Sequence, residues 1–229
     1  MAEKARRAPA KNPAPAGSFS RMKPAIALLV LAIAASAAEV KPVFAEDFEK
    51  AEVGKVPEGF LVIAGGFAVQ QEGANRFLEL PGSPLDAFGV VFGPNEKPGL
   101  SVGAKIFGTK QGRKFPAFGV SVQGVGGYRL QVSAGKKALE IFKGDEAQKA
   151  VPFEWASGAW TSLRVQIRAA AGKWIVEGKA WPSTQAEPAA WTISLETTEA
   201  PPQGRPALWG SPFSGEAIRF DDLVVAPNH

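Results

Sequence analysis

The sequence predicts an all-β protein built as an antiparallel β-sandwich. From Val40 onward, apolar residues recur with a period near two, which is the spacing of strands with one buried face. Clusters of Gly, Pro or Asn interrupt this pattern about every 8 to 12 residues, as turns between short strands do. No long stretch has the spacing of an amphipathic helix. These three observations predict about twelve strands joined mainly by hairpins.

Two segments show the alternation clearly. Leu163, Val165 and Ile167 alternate with polar residues, and so do Leu130 and Val132. Antiparallel strands with one face on a core and the other in water have this pattern. We therefore expect both segments to contribute one side to the interior of the sandwich.

Each predicted strand is bounded by turn residues. Glycine-containing turns are expected at 124–127, 170–172 and 200–204, where Gly permits a positive φ. No linker divides the chain after residue 38, so a single domain is expected over residues 39–229. In chain order, the predicted strands are residues 42–48, 67–70, 77–80, 88–92, 100–107, 117–123, 128–133, 139–143, 161–169, 174–181, 191–195 and 218–225.

The first 38 residues differ from the rest of the chain. Basic residues precede an uninterrupted apolar run from Pro24 to Ala35, and the run ends in the sequence Ala-Ser-Ala. These are the three parts of a secretory signal peptide, and the run is shorter than the roughly 20 residues that span a bilayer. An uncleaved membrane anchor is the alternative, and translation starting at Met22 would shorten the leader. We expect a periplasmic or extracellular protein with no stable membrane span after cleavage.

Removing this leader changes the charge of the protein. The leader holds six of the 26 basic residues and one of the 22 acidic residues, which leaves 20 basic and 21 acidic residues. A nearly neutral domain has no basic patch of the kind that binds nucleic acid. Nucleic acid is therefore not an expected partner.

The composition also excludes several kinds of chemistry. The chain has no Cys, which rules out disulfides, thiol nucleophiles and Cys-ligated metals. Its one His is the last residue, His229, so a Ser-His-Asp triad or a multi-His metal site is not available. Carboxylates, oxygen-ligated metals and aromatic surfaces remain.

Several short motifs occur along the mature chain in a characteristic order. They are Glu46-Asp47-Phe48, Gly126-Gly127-Tyr128-Arg129-Leu130, Ser157-Gly158-Ala159-Trp160-Thr161-Ser162-Leu163-Arg164, Lys179-Ala180-Trp181, Glu187-Pro188-Ala189-Ala190-Trp191 and Gly215-Glu216-Ala217-Ile218-Arg219-Phe220-Asp221-Asp222-Leu223-Val224-Val225. Taken together, these motifs resemble the concanavalin A-like lectin/glucanase superfamily. The chain is similar to the laminin-G-like and 3-keto-disaccharide hydrolase domains of secreted bacterial proteins, over most of residues 40–226. This resemblance implies a jelly-roll sandwich in which the first and last strands lie side by side.

A carboxylate in the last predicted strand is the candidate metal ligand. By alternation, Asp222 shares a face with core-directed apolar residues, where an unpaired charge is costly. The resemblance implies that Glu46 and Asp47 lie near it, and a structural Ca²⁺ with oxygen ligands is one way to compensate the charge. The alternative is that backbone N–H groups or Arg219 satisfy the carboxylate.

The tryptophans are the candidate ligand contacts. Six Trp residues are many for this length, and aromatic faces are platforms for sugar rings, although most large aromatics are buried for their area. Trp160, Trp181 and Trp191 match the structural tryptophans that the resemblance implies. Trp155 and Trp209 fall in predicted loops and are therefore the expected ligand-binding residues.

No catalytic residue is predicted. Glucanases of the resembled superfamily carry an E-x-D-x-E motif, which this chain does not contain. Retaining glycosidases need two carboxyl groups about 5–5.5 Å apart, whereas Asp221 and Asp222 are adjacent in a strand and should point to opposite faces. The isolated carboxylates Glu140, Glu154, Glu177 and Glu196 are expected to be solvated.

The resemblance and the tryptophans together favour a secreted, non-catalytic carbohydrate-binding module for polysaccharide or glycoconjugate. One alternative is a glycoside hydrolase or sugar lyase of the 3-keto-disaccharide hydrolase type, which requires carboxylates that converge in a cleft. Another is a structural domain of the cell envelope, which is favoured if Trp155 and Trp209 are buried.

Overall fold

The computed structural model describes residues 41–95 and 98–228. The predicted leader, residues 1–38, lies outside the described residues. The described chain forms two antiparallel β-sheets, and its only helical element is a short 3-10 turn at Ala134–Lys136. None of its helices is long and apolar enough to cross a membrane. The expectation of an all-β fold is confirmed.

Fifteen strands are present in the described residues. They are β1 (Phe44–Glu46), β2 (Leu61–Ala64), β3 (Ala68–Glu72), β4 (Asn75–Leu80), β5 (Phe88–Val91), β6 (Leu100–Gly108), β7 (Ala117–Val122), β8 (Tyr128–Ser133), β9 (Ala138–Lys143), β10 (Glu146–Pro152), β11 (Ala159–Ala170), β12 (Lys173–Pro182), β13 (Ile193–Thr197), β14 (Ala207–Ser211) and β15 (Ile218–Pro227).

The strands divide into an eight-stranded and a seven-stranded sheet. The eight-stranded sheet has the order β13-β12-β11-β6-β15-β4-β3, and β1 pairs with the second half of β15. The seven-stranded sheet has the order β10-β9-β8-β7-β14-β5-β2. Glu46 of β1 lies opposite Leu223 of β15, so the first and last strands are neighbours, as the resemblance implied.

The inner faces of the two sheets form one hydrophobic core. Leu163, Val165 and Ile167 of β11 are buried in it, and so are Leu130 and Val132 of β8, which confirms the predicted alternation. Apolar area removed from water is worth about 25 cal/mol per Å², so this interior is the main source of stability.

Three observed strands were not predicted, namely β2, β10 and β14. β10 is mostly exposed and polar, and β2 is a short apolar segment without alternation; both lie at an edge of the seven-stranded sheet. β14 contains Gly210, whose Cα faces core side chains, and it follows a Pro-rich segment that predicts a loop. The prediction that Trp209 lies in a loop is therefore wrong.

Leu130 and Gly178 make a close contact between the two sheets. A Cβ built on Gly178 of β12 would lie 2.4 Å from Leu130 Cδ1 of β8, which is too close for any two carbon atoms. Leu130 thus fills the space that a side chain at position 178 would need.

This contact predicts a coupling between two substitutions. Leu130→Ala should lower the free energy of unfolding by about 2–5 kcal/mol through the cavity it leaves. Gly178→Ala should cost about 1–3 kcal/mol because its methyl group overpacks the core. The double variant should be at least about 1 kcal/mol more stable than the sum of the two losses, because the new methyl group occupies the vacated space. Urea unfolding of all four proteins measures this, and additive losses would contradict the contact.

Candidate functional site

Trp209 lies on the outer face of the seven-stranded sheet. It belongs to β14 between β5 and β7, and its neighbour Leu208 points into the core. The partly exposed indole lies over Gly89, because a Cβ there would meet three ring atoms at 3.1–3.3 Å. Its Nε1 donates a hydrogen bond to Ser121 Oγ at 3.1 Å. The contact with Gly89 and the hydrogen bond to Ser121 therefore hold the ring against the sheet.

The strand register places Arg129 beside this ring. Ser121 of β7, Arg129 of β8 and Phe142 of β9 lie directly opposite one another. The Arg129 guanidinium carbon is 4.7 Å from the Phe142 ring centroid and 5.1 Å from that of Trp209. Arginine stacks well on aromatic faces, so the two rings fix the guanidinium in place.

Arg129 keeps an unused donor. Its Nε is buried and has no hydrogen-bond partner among the described residues. Burial lowers the pKa of Arg129 below its usual range, and the charges of Asp145 and Glu140 raise it in part. A buried donor without a partner costs about 1–3 kcal/mol, and because this atom is inaccessible to solvent, a ligand oxygen reaches it only after the side chain shifts.

A second register row adds polar groups to the same face. Trp209 lies opposite Gly119, which lies opposite Gln131, and Gln131 lies opposite Glu140. Gly119 has no side chain, so nothing from β7 separates Trp209 from Gln131. Gln131 Nε2 donates to Ser133 Oγ at 2.9 Å. We call this surface the tryptophan face and define it by Trp209, Arg129, Phe142, Gln131 and Ser121.

Trp155 is not part of the tryptophan face. It lies in the loop between β10 and β11, as predicted, but its ring packs edge-on against the core residue Phe118 at 6.0 Å. It lines a cavity of about 260 Å³ together with Glu154 and Ser157. Its Nε1 is buried and has no hydrogen-bond partner among the described residues. Ligand binding by Trp155 stays a prediction, and the packing assigns the ring a structural contact.

A β-bulge changes the predicted orientation of Asp222. The register of β15 against β6 shifts between Asp221 and Val224, and Asp222 has a φ of 47°. After Phe220, the next core residue is therefore Leu223 rather than residue 222. The prediction that Asp222 points into the core is wrong. The sequence does contain a signal for this bulge, because two successive carboxylates lie between the apolar residues Phe220 and Leu223. The prediction assumed strict alternation and therefore missed it.

Asp222 has a partner that was not foreseen. Its side chain is 44% exposed, and its Oδ2 lies 2.6 Å from the Nζ of Lys105 on β6. Arg219, the partner considered from the sequence, instead pairs with Glu79 and Glu72. The charge on Asp222 is therefore compensated by a lysine.

The predicted metal ligands lie together without forming a metal site in this arrangement. Glu46, Asp47 and Asp222 line one groove of about 560 Å³. Glu46 Oε1 accepts from the Phe48 N–H at 2.8 Å, and Asp47 Oδ1 accepts from the Glu49 N–H at 3.2 Å. Within residues 41–95 and 98–228, no three carboxylate or imidazole side chains are close enough to hold a metal ion. Calcium binding here stays a prediction that requires Asp222 to release Lys105.

Two carboxylates that were expected to be solvated are buried. Glu140 accepts a short hydrogen bond from Ser133 and one of 3.1 Å from Lys136 Nζ. Burial would raise the pKa of Glu177, but hydrogen bonds from Arg168 and Gln166 outweigh it and lower that pKa. Glu154 and Glu196 are exposed, as predicted. Both Glu140 and Glu177 are therefore hydrogen-bonded by neighbouring side chains.

The bulge buries Asp221 instead of Asp222. Asp221 is 7% exposed, and it accepts from Asn75 Nδ2 at 3.0 Å and from the Asp222 N–H at 2.8 Å. Burial raises its pKa to about 6, and the charges of Asp222 and Glu49 add to this, although the two hydrogen bonds oppose it. Sequence reasoning did not single out Asp221, since its position depends on the bulge.

Solved structures share this architecture. Carbohydrate-binding module CBM66 from Bacillus subtilis matches with a TM-score of 0.52 and 12% identity, over 73% of this chain and 95% of that one. The carbohydrate recognition domain of Emp47p matches with 0.55 and 11%, over 84% and 99%. The β-glucanase of Bacillus licheniformis matches with 0.52 and 8%, over 82% and 99%. No protein-family model and no curated protein sequence matches the chain.

These likenesses define the class of fold. The described residues form a jelly-roll sandwich of the concanavalin A-like lectin/glucanase type, as the motifs indicated. At such low identities the agreement concerns the fold alone, and function has to be argued from the site.

The raised pKa of Asp221 predicts a pH-dependent stability. A carboxyl group whose pKa is higher in the folded than in the unfolded protein stabilises the fold below about pH 4 and loses that contribution as pH rises through 6. Relative to the Asp221→Asn variant, the wild type should therefore lose up to about 3 kcal/mol of unfolding free energy between pH 4 and pH 7. Urea unfolding at both pH values measures this. A difference that stays constant with pH would show that Asp221 titrates normally.

Proposed function

We propose that this protein is a non-catalytic carbohydrate-binding module and that it binds polysaccharide or glycoconjugate on the tryptophan face. One observation carries the proposal: the partly exposed Trp209 lies beside a guanidinium that the rings of Trp209 and Phe142 hold in place. The fold is shared with a carbohydrate-binding module and a carbohydrate recognition domain, which supports the proposal by analogy.

The chemistry of the face suits a sugar ring. The C–H side of a pyranose is apolar and can pack on the exposed part of the Trp209 indole, while hydroxyl groups at the ring edge need polar partners. Arg129 donates through its guanidinium, and the Gln131 amide both donates and accepts. The rings that hold Arg129 also reduce the entropy lost when a ligand binds.

Hydrolysis is not favoured on this face. A glycosidase needs two carboxyl groups flanking the scissile bond. Two carboxylates act on Arg129, namely Asp145 and Glu140. Asp145 lies in the exposed turn between β9 and β10, and Glu140 is 4% exposed and hydrogen-bonded by Ser133 and Lys136. Binding without turnover is therefore expected here.

The compartment is part of the same proposal. Export through the predicted signal peptide would place the domain in the periplasm or outside the cell, where polysaccharides are accessible. A purely structural role in the envelope is less well supported, because the indole of Trp209 is partly exposed rather than buried.

Replacing Trp209 tests the proposal. Trp209→Ala should weaken binding to a retained polysaccharide at least about tenfold, because the stacking surface is lost. The matched control is Trp191→Ala, which removes a partly exposed indole in the loop between β12 and β13, where Lys179 Nζ lies 4.5 Å from its ring centroid. Pull-down and calorimetry with a broad polysaccharide panel measure binding, with calcium or chelator present, and reducing-end assays measure turnover.

The outcomes separate the alternatives. Loss of binding in Trp209→Ala alone supports the proposal. Turnover would instead favour the hydrolase or lyase alternative, and equal losses in both variants would contradict a specific site. Lack of binding across the panel would leave a structural envelope domain.

Replacing Arg129 tests the polar half of the face. Arg129→Met keeps an unbranched stem between Phe142 and Trp209 but removes the guanidinium donors, so affinity should fall about tenfold while folding is retained. Calorimetry with the ligand found above measures the affinity, and the near-ultraviolet circular dichroism of the aromatics checks the packing. Unchanged affinity in a folded Arg129→Met variant would exclude Arg129 from the site.

A further inference from the structure

A second cavity lies on the outer face of the opposite, eight-stranded sheet. It has a volume of about 450 Å³, within the range of small-molecule sites. Its lining includes Trp160, Phe77, Asn75, Lys105 and Arg219, together with both carboxylates of the bulge. We call it the bulge cleft. It is separate from the tryptophan face, because the two open on different sheets.

One wall of the bulge cleft is aromatic. Trp160 of β11 lies 5.6 Å from the Phe107 ring and 6.4 Å from the Phe77 ring. The Arg219 guanidinium stacks on both Phe rings, at 4.6 Å from Phe77 and 5.4 Å from Phe107. Trp160 is partly exposed and lines the cavity, so it offers an apolar surface there in addition to its packing role.

The opposite wall is made by the bulge. Ideal alternation would send Asp221 and Asp222 to opposite faces of the sheet, but the shift in register lets both line the same cavity. Asn75 orients the buried Asp221 through a 3.0 Å hydrogen bond, and Lys105 holds Asp222. The positive φ of Asp222 is uncommon for a residue other than Gly, and such bulges often re-aim side chains at functional positions.

The charges around the cleft disfavour anions. Lys105 is neutralised by Asp222, and Arg219 is paired with two carboxylates, Glu72 and Glu79. Neither cation is therefore left to attract a negatively charged ligand.

We propose that the bulge cleft is a second binding site, and that it takes a single hydroxylated ring that is neutral or carries an amine. The apolar side of the ring stacks on Trp160. Its hydroxyl or ammonium groups bond with Asn75 and the two aspartates.

Three small probes test the cleft in the full-length protein. These are methyl glucoside, glucosamine and glucuronate, each added while the tryptophan indole N–H signals are followed by NMR. The Trp160 signal is assigned from Trp160→Phe. The neutral and amino sugars should shift the Trp160 signal with millimolar affinity, the range expected of a single sugar ring in a small site. Glucuronate should bind at least about tenfold more weakly.

Two variants separate this site from the tryptophan face. Asn75→Ala, at an exposed position, should weaken binding of the neutral and amino sugars, measured by the Trp160 shift, at least about fivefold. The other indole signals should show that this variant is folded. Trp209→Ala should leave the sugar-induced shift of the Trp160 signal unchanged. Failure of the tryptophan face to bind polysaccharide would not affect these expectations, because the probes and variants are different.

Three results would overturn the inference. One is no shift of Trp160 with either the neutral or the amino sugar. Another is equal binding of glucuronate, which would remove the assigned ligand class. The third is loss of the effect in Trp209→Ala but not in Asn75→Ala, which would move the binding to the other sheet.

Discussion

The packing of two sheets against each other is the constraint on which the rest of this structure depends. Leu130 of one sheet fills the space above Gly178 of the other, and the residues flanking each buried position are turned outward as a result. That geometry places Arg129 and Gln131 on the outer surface, with Phe142 on the adjacent strand β9 and Trp209 on β14, one strand beyond β7. The tryptophan face is thus a consequence of how the core is filled.

The tryptophan face contains an arginine that is held rigidly but has one hydrogen-bond donor without a partner among the described residues. Two aromatic rings hold the Arg129 guanidinium, yet its buried Nε has no partner among the described residues. Folding pays the cost of desolvating that donor, and an oxygen-rich ligand would return part of it only after the side chain shifts. By contrast, the buried carboxylates Glu140 and Glu177 have their partners within the protein, so they stabilise the fold and offer nothing to a ligand.

Much of the fold could be predicted from the sequence, because alternation in segments such as the one around Leu163 reports burial directly. Two parts of the sites could not. Trp209 was assigned to a loop because its strand is short and contains Gly210, which packs under core side chains. The positions of Asp221 and Asp222 depend on one extra residue in β15, which a period-two pattern does not represent. Pairings such as Trp209 with Gly119 arise from strand order, which a single sequence does not specify.

The central claim is that the tryptophan face contacts the ligand directly. The most direct test follows the Trp209 indole N–H and the Arg129 Nε–H by NMR while an oligosaccharide released from a bound polysaccharide is added. The account predicts that both signals shift together and saturate at the same ligand concentration. Saturable binding that shifts other indole signals and leaves these two unchanged would contradict it.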